Sequence, residues 1–403
     1  MIAGETILCF APDPWDDIWR NRHQIMSRLA RQNLVIYVEP RPYLRQVLAG
    51  LRQGLIRVSQ MGSRTREVMP GLHVYSPPLW APISGREPLA SLTRWARERD
   101  LEAAMRRLGA GQPILWLVRP DQADLPGRFG EKMCVYHIVD EYSGYGGLTQ
   151  ERRQAVLQRE QRLIARADVV FVTSPALLQS KGRYNPNTHL VPNAVDYEAF
   201  SRALEDPTLP ADLEALPRPR VGYVGAVNDK VDFALLSELA RRHRDWSVVV
   251  VGPWAVREDA NAPVLRQEPN VHFLGKQDVA RVPHYIKGLD ICLMPYKLDE
   301  WTRSIDPLKL YEYLAAGRPV VSTAIPAAQP FGAWISIAVE GDGFISAAET
   351  ALAQDSAAAR VARRAEASRH SWDSRVNVIS EQLAAFLQVP TGKDAHELSE
   401  KQR

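Results

Sequence analysis

Cysteine is scarce. The 403 residues hold three, Cys9, Cys134 and Cys292, each inside an apolar run (ILCF, MCVY, ICLM) and none in a paired spacing. That excludes a disulfide framework or a cysteine metal site, and predicts three buried thiols in a reducing compartment. No run approaches the ~20 apolar residues that a membrane-spanning helix needs. The opening MIAGETILCFAPD has no basic region ahead of its short apolar stretch, so no secretory signal is expected and the chain is expected in the cytoplasm. Charge of one sign is also lacking. Fifty Lys and Arg against 47 Asp and Glu leave +3, too small an excess to suggest nucleic acid as a partner. No Gly-x-Gly follows the first strand-like run, which argues against a dinucleotide fold of the dehydrogenase type.

What is present is the balance of a globular protein, 45% hydrophobic and 24% charged, with length for two domains of ~200 residues. Short β-branched and aromatic runs at 6–10, 34–39, 72–75, 113–118, 133–139, 168–173 and 189–192 alternate with helical spacing, as at 21–31 and 149–167. The proline-rich stretch 205–219 reads as an interdomain linker. The alternation then restarts at 220–224, 247–251, 271–274, 291–294, 319–322 and 335–339. This pattern predicts an α/β protein of two Rossmann-like, doubly wound domains, 1–204 and 220–370, facing each other across a cleft. Ligands in such sheets bind off the carboxyl ends of the strands. Residues 371–388 predict a last amphipathic helix, and 389–403 a disordered tail.

The most informative stretch is 306–323, DPLKLYEYLAAGRPVVST. It predicts a loop, a short helix opened by Pro307, a stop at Gly317 and a buried strand. Leu308 and Tyr311 fall on an apolar face. Lys309 and Glu312, at i and i+3, share a face near the helix N-terminus, where backbone N–H groups and the helix dipole favour an anion. A cation there adds phosphate affinity, and a carboxylate one turn on accepts two hydroxyls. The same spacing also suits a plain surface ion pair of roughly 0.2–0.5 kcal/mol.

This stretch resembles the donor-site signature of the retaining family-four glycosyltransferases of GT-B fold, in their polysaccharide-assembly branch. The resemblance implies that Glu312 binds the donor ribose and that Pro307, Leu308 and Lys309 line the donor site with it. Ser304 stands where the family carries a second glutamate. Upstream, GYVGAVNDKVDF at 222–233 turns through Gly225, with Ala226 where the family has arginine and Lys230 one position off the usual lysine. By the same likeness the loop after Gly275 flanks the base, Tyr296 ends a strand in the cleft, and Arg303 lies near the diphosphate. VPNAVDYEAF at 191–200 is similar to a short family motif at the hinge, and the final helix is expected to return to the first domain.

The implied donor is a nucleotide-diphosphate sugar and the implied acceptor a glycan, a lipid-linked or a small molecule. Transfer would be retaining, the donor phosphate itself assisting removal of the acceptor proton. No Asp-x-Asp triplet occurs, so a metal-chelating route is not supported; no metal and no cofactor are expected. A sugar-nucleotide epimerase of the same fold is the alternative enzyme. A noncatalytic nucleotide-sugar binder is the alternative of another class, suggested by Ala226 and Ser304.

In the first half, APDPWDDIWRNRHQ crowds Trp15, Trp19, Arg20, Arg22 and His23 together. Rings beside arginines stack a sugar or hold a phosphate; they equally cap a core under solvated arginines. The resemblance places this loop opposite the donor, with Arg22 or His23 in contact. Asp140 and Glu141, just past a strand, offer a third catalytic candidate in Asp140, or simply a helix cap. Finally, RPYLRQVLAGLRQGLIRVSQMGSRTR at 41–66 holds six arginines and no acidic residue. Leu44, Val47, Leu48, Leu51, Leu55 and Val58 follow helical spacing. This predicts either a core-facing helix or an interfacial one that holds the protein peripherally at the inner face of a membrane.

Overall fold

The computed structural model describes residues 2–388 apart from 58, 60, 146, 339 and 340. The predicted tail, Val58 and the end of the last predicted strand lie outside the described residues. The chain divides into two compact units, Met1–Val191 with Val376–Arg403, and Pro192–Arg375.

The first unit contains strands β1 (Thr6–Phe10), β2 (Leu34–Val38), β3 (Arg64–Met69), β4 (Leu72–Ser76), β5 (Pro113–Leu117), β6 (Met133–Ile138), β7 (Val169–Val172) and β8 (Thr188–Leu190). They form one sheet in the order β3-β4-β2-β1-β5-β6-β7-β8, parallel except for the edge strand β3, which runs antiparallel to β4. The chain of β1 reads TILCF and is buried along its length, the signature of a strand covered on both faces. Helices α1 (Asn21–Leu29), α2 (Leu44–Arg52), α3 (Leu89–Arg107), α4 (Gln150–Arg166) and α5 (Pro175–Lys181) connect the strands. Leu101 and Ala104 of α3 and Leu163 and Ile164 of α4 close one core over Leu8, Ile36, Leu115, Tyr136 and Val170. Each fully buried large apolar side chain contributes ~1.5–3 kcal/mol.

Two expectations need correction here. The segment 41–66 is not one helix. Gly54, at φ +68°, takes a left-handed conformation just past the C-cap and stops α2, and only the last three residues of the segment, from Arg64, enter β3. Its charged sequence RTREVM is mostly exposed, as edge strands that resist further pairing are.

The second unit opens with α6 (Tyr197–Glu205) and α7 (Ala211–Glu214). The stretch 205–219 is therefore part of this unit, and the units separate at 191/192 instead. Sequence alone shows the prolines but not their anchors. Leu213 is fully buried, the Tyr285 hydroxyl donates to the Asp212 carboxylate at 2.8 Å, and Lys287 Nζ donates to the Ala203 carbonyl at 2.8 Å. The sheet is all parallel, β11-β10-β9-β12-β13-β14, built from β9 (Arg220–Val224), β10 (Ser247–Val251), β11 (Val271–Gly275), β12 (Ile291–Met294), β13 (Val320–Thr323) and β14 (Ser336–Ala338). The helices α8 (Phe233–Arg242), α9 (Ala262–Leu265), α10 (Val282–Gly288), α11 (Leu308–Ala315), α12 (Gly341–Ala353) and α13 (Ala357–Ser368) follow in chain order. The last helix, α14 (Trp372–Gln388), begins in the second unit, and from Val376 onward it groups with the first. β9 has β10 on one side and β12 on the other, so the chain reverses its winding direction there. That reversal is the topological switch point at which ligands of doubly wound sheets bind.

Candidate functional site

At the carboxyl end of β9 the backbone turns through Gly225 at φ +139°, and Gly252 at the end of β10 has φ +141°. Both conformations suit only glycine. Gly225 N–H donates to the Val251 carbonyl at 2.7 Å, and Gly252 N–H to the Gly275 carbonyl at 2.8 Å. A β-carbon on Gly225 would lie 2.4 Å from Lys309 Cε and 2.5 Å from Nζ, so the bare backbone is what admits the lysine. The Lys309 ammonium sits 4.7 Å from the centre of the Tyr223 ring, a cation over an aromatic face, and interacts with the Tyr296 hydroxyl.

Lys309 belongs to the first turn of α11, whose leading N–H groups have no partner within the helix. Glu312, one turn on, is half-buried. Burial raises its carboxyl above the ordinary range, and the charge of Lys309 opposes that rise. Pro307 is buried and Leu308 half-buried at the start of the helix. The helix is pinned from behind: the Tyr313 hydroxyl accepts from Val224 N–H at 2.8 Å, which ties α11 directly to β9.

The loop after Gly225 completes the group. Lys297 N–H donates to the Lys230 carbonyl at 2.9 Å and Asp232 N–H to the Pro295 carbonyl at 2.7 Å. Lys230 Nζ lies 4.5 Å from the centre of the Trp301 ring. Arg303 and Ser304 form a single turn just before α11, the first exposed and the second half-buried. Gly225, Lys230, Tyr296, Lys309 and Glu312 thus converge at one edge of the sheet, and Gly275 reaches it through Gly252. Tyr223 belongs to the same group and escaped the sequence reading; its only signal was a ring two residues before a turn glycine.

Asp306 has a structural task. Its carboxylate accepts from Asn193 N–H at 2.6 Å and from the Tyr311 hydroxyl at 2.9 Å, and Asn193 Nδ2 donates to its carbonyl at 2.5 Å. Asp299 is likewise occupied, accepting from Thr302 N–H at 2.8 Å.

The first unit treats its candidates differently. His23 is fully buried. Its Nδ1 accepts from Arg20 N–H at 3.1 Å, and Nε2 lies 3.4 Å from the Tyr37 hydroxyl. Its ring lies nearly parallel to Trp19 at 5.6 Å and packs on Trp15 at 5.0 Å. Burial, with the Arg22 charge adding to it, pushes its pKa down to about 3. Arg22 is 4% exposed, pairs with Asp13 and donates Nε to the Tyr37 hydroxyl at 3.2 Å. These two residues form an aromatic and ionic lock on the β1–α1 turn.

Asp140 stands half-buried past the end of β6, two strands away from β1, and accepts from the Tyr145 hydroxyl at 3.1 Å. Its neighbour Glu141 is committed to Lys181 at 2.8 Å, which also holds Glu160 at 2.6 Å. Among the described residues no three His, Cys, Asp or Glu side chains gather where they would hold a metal ion.

Residues 218–358 match the family model described as glycosyl transferases group 1. The matched stretch lies within the second unit. The chain is also 33% identical, over 254 residues, to a putative teichuronic acid biosynthesis glycosyltransferase of Bacillus subtilis, a match that covers 60% of this chain and 64% of that protein. Among solved structures it resembles a sucrose-phosphate synthase from Thermosynechococcus elongatus, with TM-score 0.71, 16% identity, and 96% of this chain and 100% of that one covered. The Anabaena protein HepE in complex with UDP and glucose gives TM-score 0.65 at 14% identity, covering 94% and 100%. A trehalose-phosphate synthase from Burkholderia xenovorans gives 0.62 at 12%, covering 96% and 100%. These likenesses establish the fold as GT-B, and the matched stretch 218–358 contains the switch-point edge that gathers Lys309 and Glu312.

Proposed function

We propose that this chain is a glycosyltransferase that moves a sugar from a nucleotide-diphosphate sugar to a glycan, lipid-linked or small-molecule acceptor. The observation that carries the reading is the lodging of Lys309 against Gly225, over Tyr223 and beside Glu312, at the switch point of the second sheet. Lys309 and the N-terminus of α11 supply positive charge to a leaving diphosphate, which is where transfer needs electrostatic help. Glu312 accepts the ribose hydroxyls. The reading includes retention of configuration and independence from metal ions. UDP is the first nucleoside diphosphate to test, since the HepE complexes hold UDP and UDP-glucose. The Bacillus relative's name points to polysaccharide assembly.

Peripheral contact with an anionic bilayer through residues 41–66 belongs to the same proposal. No helix among the described residues is long and apolar enough to cross a membrane. Tyr43, Leu48 and Leu55 are exposed on this segment at 49%, 45% and 74%, next to the exposed Arg45, Arg52 and Arg57.

The test is binding and turnover across a panel of nucleotide diphosphates and nucleotide sugars. Lys309→Ala and Glu312→Ala are each expected to lower donor affinity or kcat/KM by one to two decades, since a charge-assisted contact is worth ~1.5–3 kcal/mol. Thermal midpoints should stay near wild type. Full activity in both variants refutes the donor site. An epimerised sugar or binding without turnover selects one of the alternative readings.

A further inference from the structure

A second concave site lies wholly within the first unit, at the carboxyl ends of its strands. Phe10 ends β1, Val38 ends β2 and Pro77 follows β4; with Leu101, Leu125 and Phe129 they wall a small surface recess. Two guanidinium groups enter this apolar wall, Arg41 and Arg97.

Arg97 is 8% exposed. One of its terminal nitrogens donates to the carbonyls of Ala81 at 2.7 Å and Pro82 at 2.8 Å, while its Nε is buried with no partner among the described residues. Arg41, among the described residues, makes neither a hydrogen bond nor an ion pair. The two like charges face one another in a desolvated space. Burial first, and Arg41 second, bring Arg97 down to about 10, and burial also lowers Arg41.

The acidic groups nearby are committed elsewhere. Glu98, the one carboxylate lining the recess, accepts from Arg128 at 3.1 Å. Asp121 pairs with Arg119 at 3.1 Å, and the Tyr75 hydroxyl turns away to Asp100 at 2.6 Å. Glu98 and Asp121 favour the charged Arg41 through space, but neither contacts it; a part-buried guanidinium with no contacting counter-ion is costly, and a planar fork fits the oxygens of a phosphate.

We propose that this recess is an oxyanion site that binds a phosphate ester through Arg41 and Arg97, with the rings of Phe10 and Phe129, packed on each other at 5.4 Å, as an apolar wall beside it. The assignment rests on the glycosyltransferase reading only for the further step that the phosphate belongs to the acceptor.

Calorimetric titration of the intact chain with inorganic phosphate and glucose 6-phosphate, against chloride at matched ionic strength, tests it. Arg41→Met is the informative variant, because Arg41 holds no backbone and its loss spares the fold, whereas Arg97 anchors residues 81 and 82. Phosphate affinity is expected to fall about tenfold in Arg41→Met, the worth of one charged hydrogen bond, and to be unchanged in Lys309→Ala. If wild type binds phosphate no better than chloride, or if Arg41→Met binds as wild type does, the proposal is wrong. Loss in Lys309→Ala alone also overturns it while upholding the donor site.

A parallel arm compares phosphatidylcholine vesicles with and without phosphatidic acid. A loss in Arg41→Met seen with glucose 6-phosphate identifies a soluble ester as the carrier, and one seen only with phosphatidic acid identifies a lipid headgroup. Either supports the site.

Discussion

Two glycines set how closely a cation and a neighbouring strand can approach the end of β9, and they do so in different ways. At Gly225 the obstacle to a β-carbon is the end of a lysine side chain, 2.4 Å away at Cε. At Gly252 it is the carbonyl oxygen of Gly225 itself, at 2.0 Å. A lysine swings aside; a strand in mid-sheet does not. Gly225→Ala is therefore expected to expel Lys309 and weaken UDP binding by about a decade, with a modest loss of stability from the strained φ. Gly252→Ala should instead destabilise the second unit by several kcal/mol, of order 2–4. Thermal unfolding with and without UDP separates them: equal effects of the two substitutions on midpoint and on UDP affinity would disprove this division. The sequence carried Lys309 and Glu312 plainly, since a lysine and a glutamate three apart at a helix start are visible as letters. The surroundings of Arg22 and His23 were not legible, because an arginine beside tryptophans reads the same whether it faces solvent or closes on Asp13 and Tyr37.

The α11 helix owes its placement to a buried carboxyl at its foot. Asp306 receives two donors that favour its charged form, from Asn193 and Tyr311, yet burial outweighs them and raises its pKa from 3.8 to about 6. Between those values the folded state keeps a proton that the unfolded state has released. The stability that goes with the protonated carboxyl is thus complete below about pH 3.8 and is lost as pH rises through about 6. Asp306→Asn removes this titration. Urea midpoints of variant and wild type between pH 4 and 7 should diverge in favour of the variant as pH rises, by ~1–3 kcal/mol. The difference must be read, not the wild-type curve, because His23 acts oppositely: its folded pKa of about 3 lies below the ordinary 6.5, so it removes stability as pH falls from 6.5. A constant offset between the curves with no pH slope would show that Asp306 does not titrate this way. At this scale the sequence was uneven. The strands of the second sheet could be read nearly to the residue, because parallel strands buried on both faces are unbroken apolar runs. The edge strand β3 could not, because RTREVM has an edge strand's charge and no apolar alternation.

Over the whole chain, exposed apolar side chains are unevenly spread. Of the eleven large ones exposed among the described residues, seven lie between 43 and 95: Tyr43, Leu48, Leu55, Trp80, Leu89, Leu92 and Trp95. Backbone pairing draws their segments together, with Leu44 N–H donating to the Ile83 carbonyl and Ile83 N–H to the Pro42 carbonyl, each at 3.0 Å. Arg97 of α3 binds the carbonyls of 81 and 82. The sequence showed only the first part of this surface, as a helical run at 41–66; Trp80 and Trp95 join it through tertiary contacts that no local period encodes. Val47 is 3% exposed and anchors α2 to the unit, as the core-facing alternative expects, while Leu48 turns outward. Tryptophan rings and arginines side by side suit the headgroup region of an anionic bilayer. Each arginine near such a surface contributes ~1 kcal/mol, screened beyond about 10 Å at 0.1 M salt. Wild type is therefore expected to sediment with anionic vesicles at low salt and to be partly released at high salt. Arg45, Arg52 and Arg57→Glu should abolish the salt-sensitive part, and Trp80 and Trp95→Ser should reduce what survives in high salt. The membrane reading fails if wild type ignores anionic vesicles or if the triple glutamate variant binds them equally well.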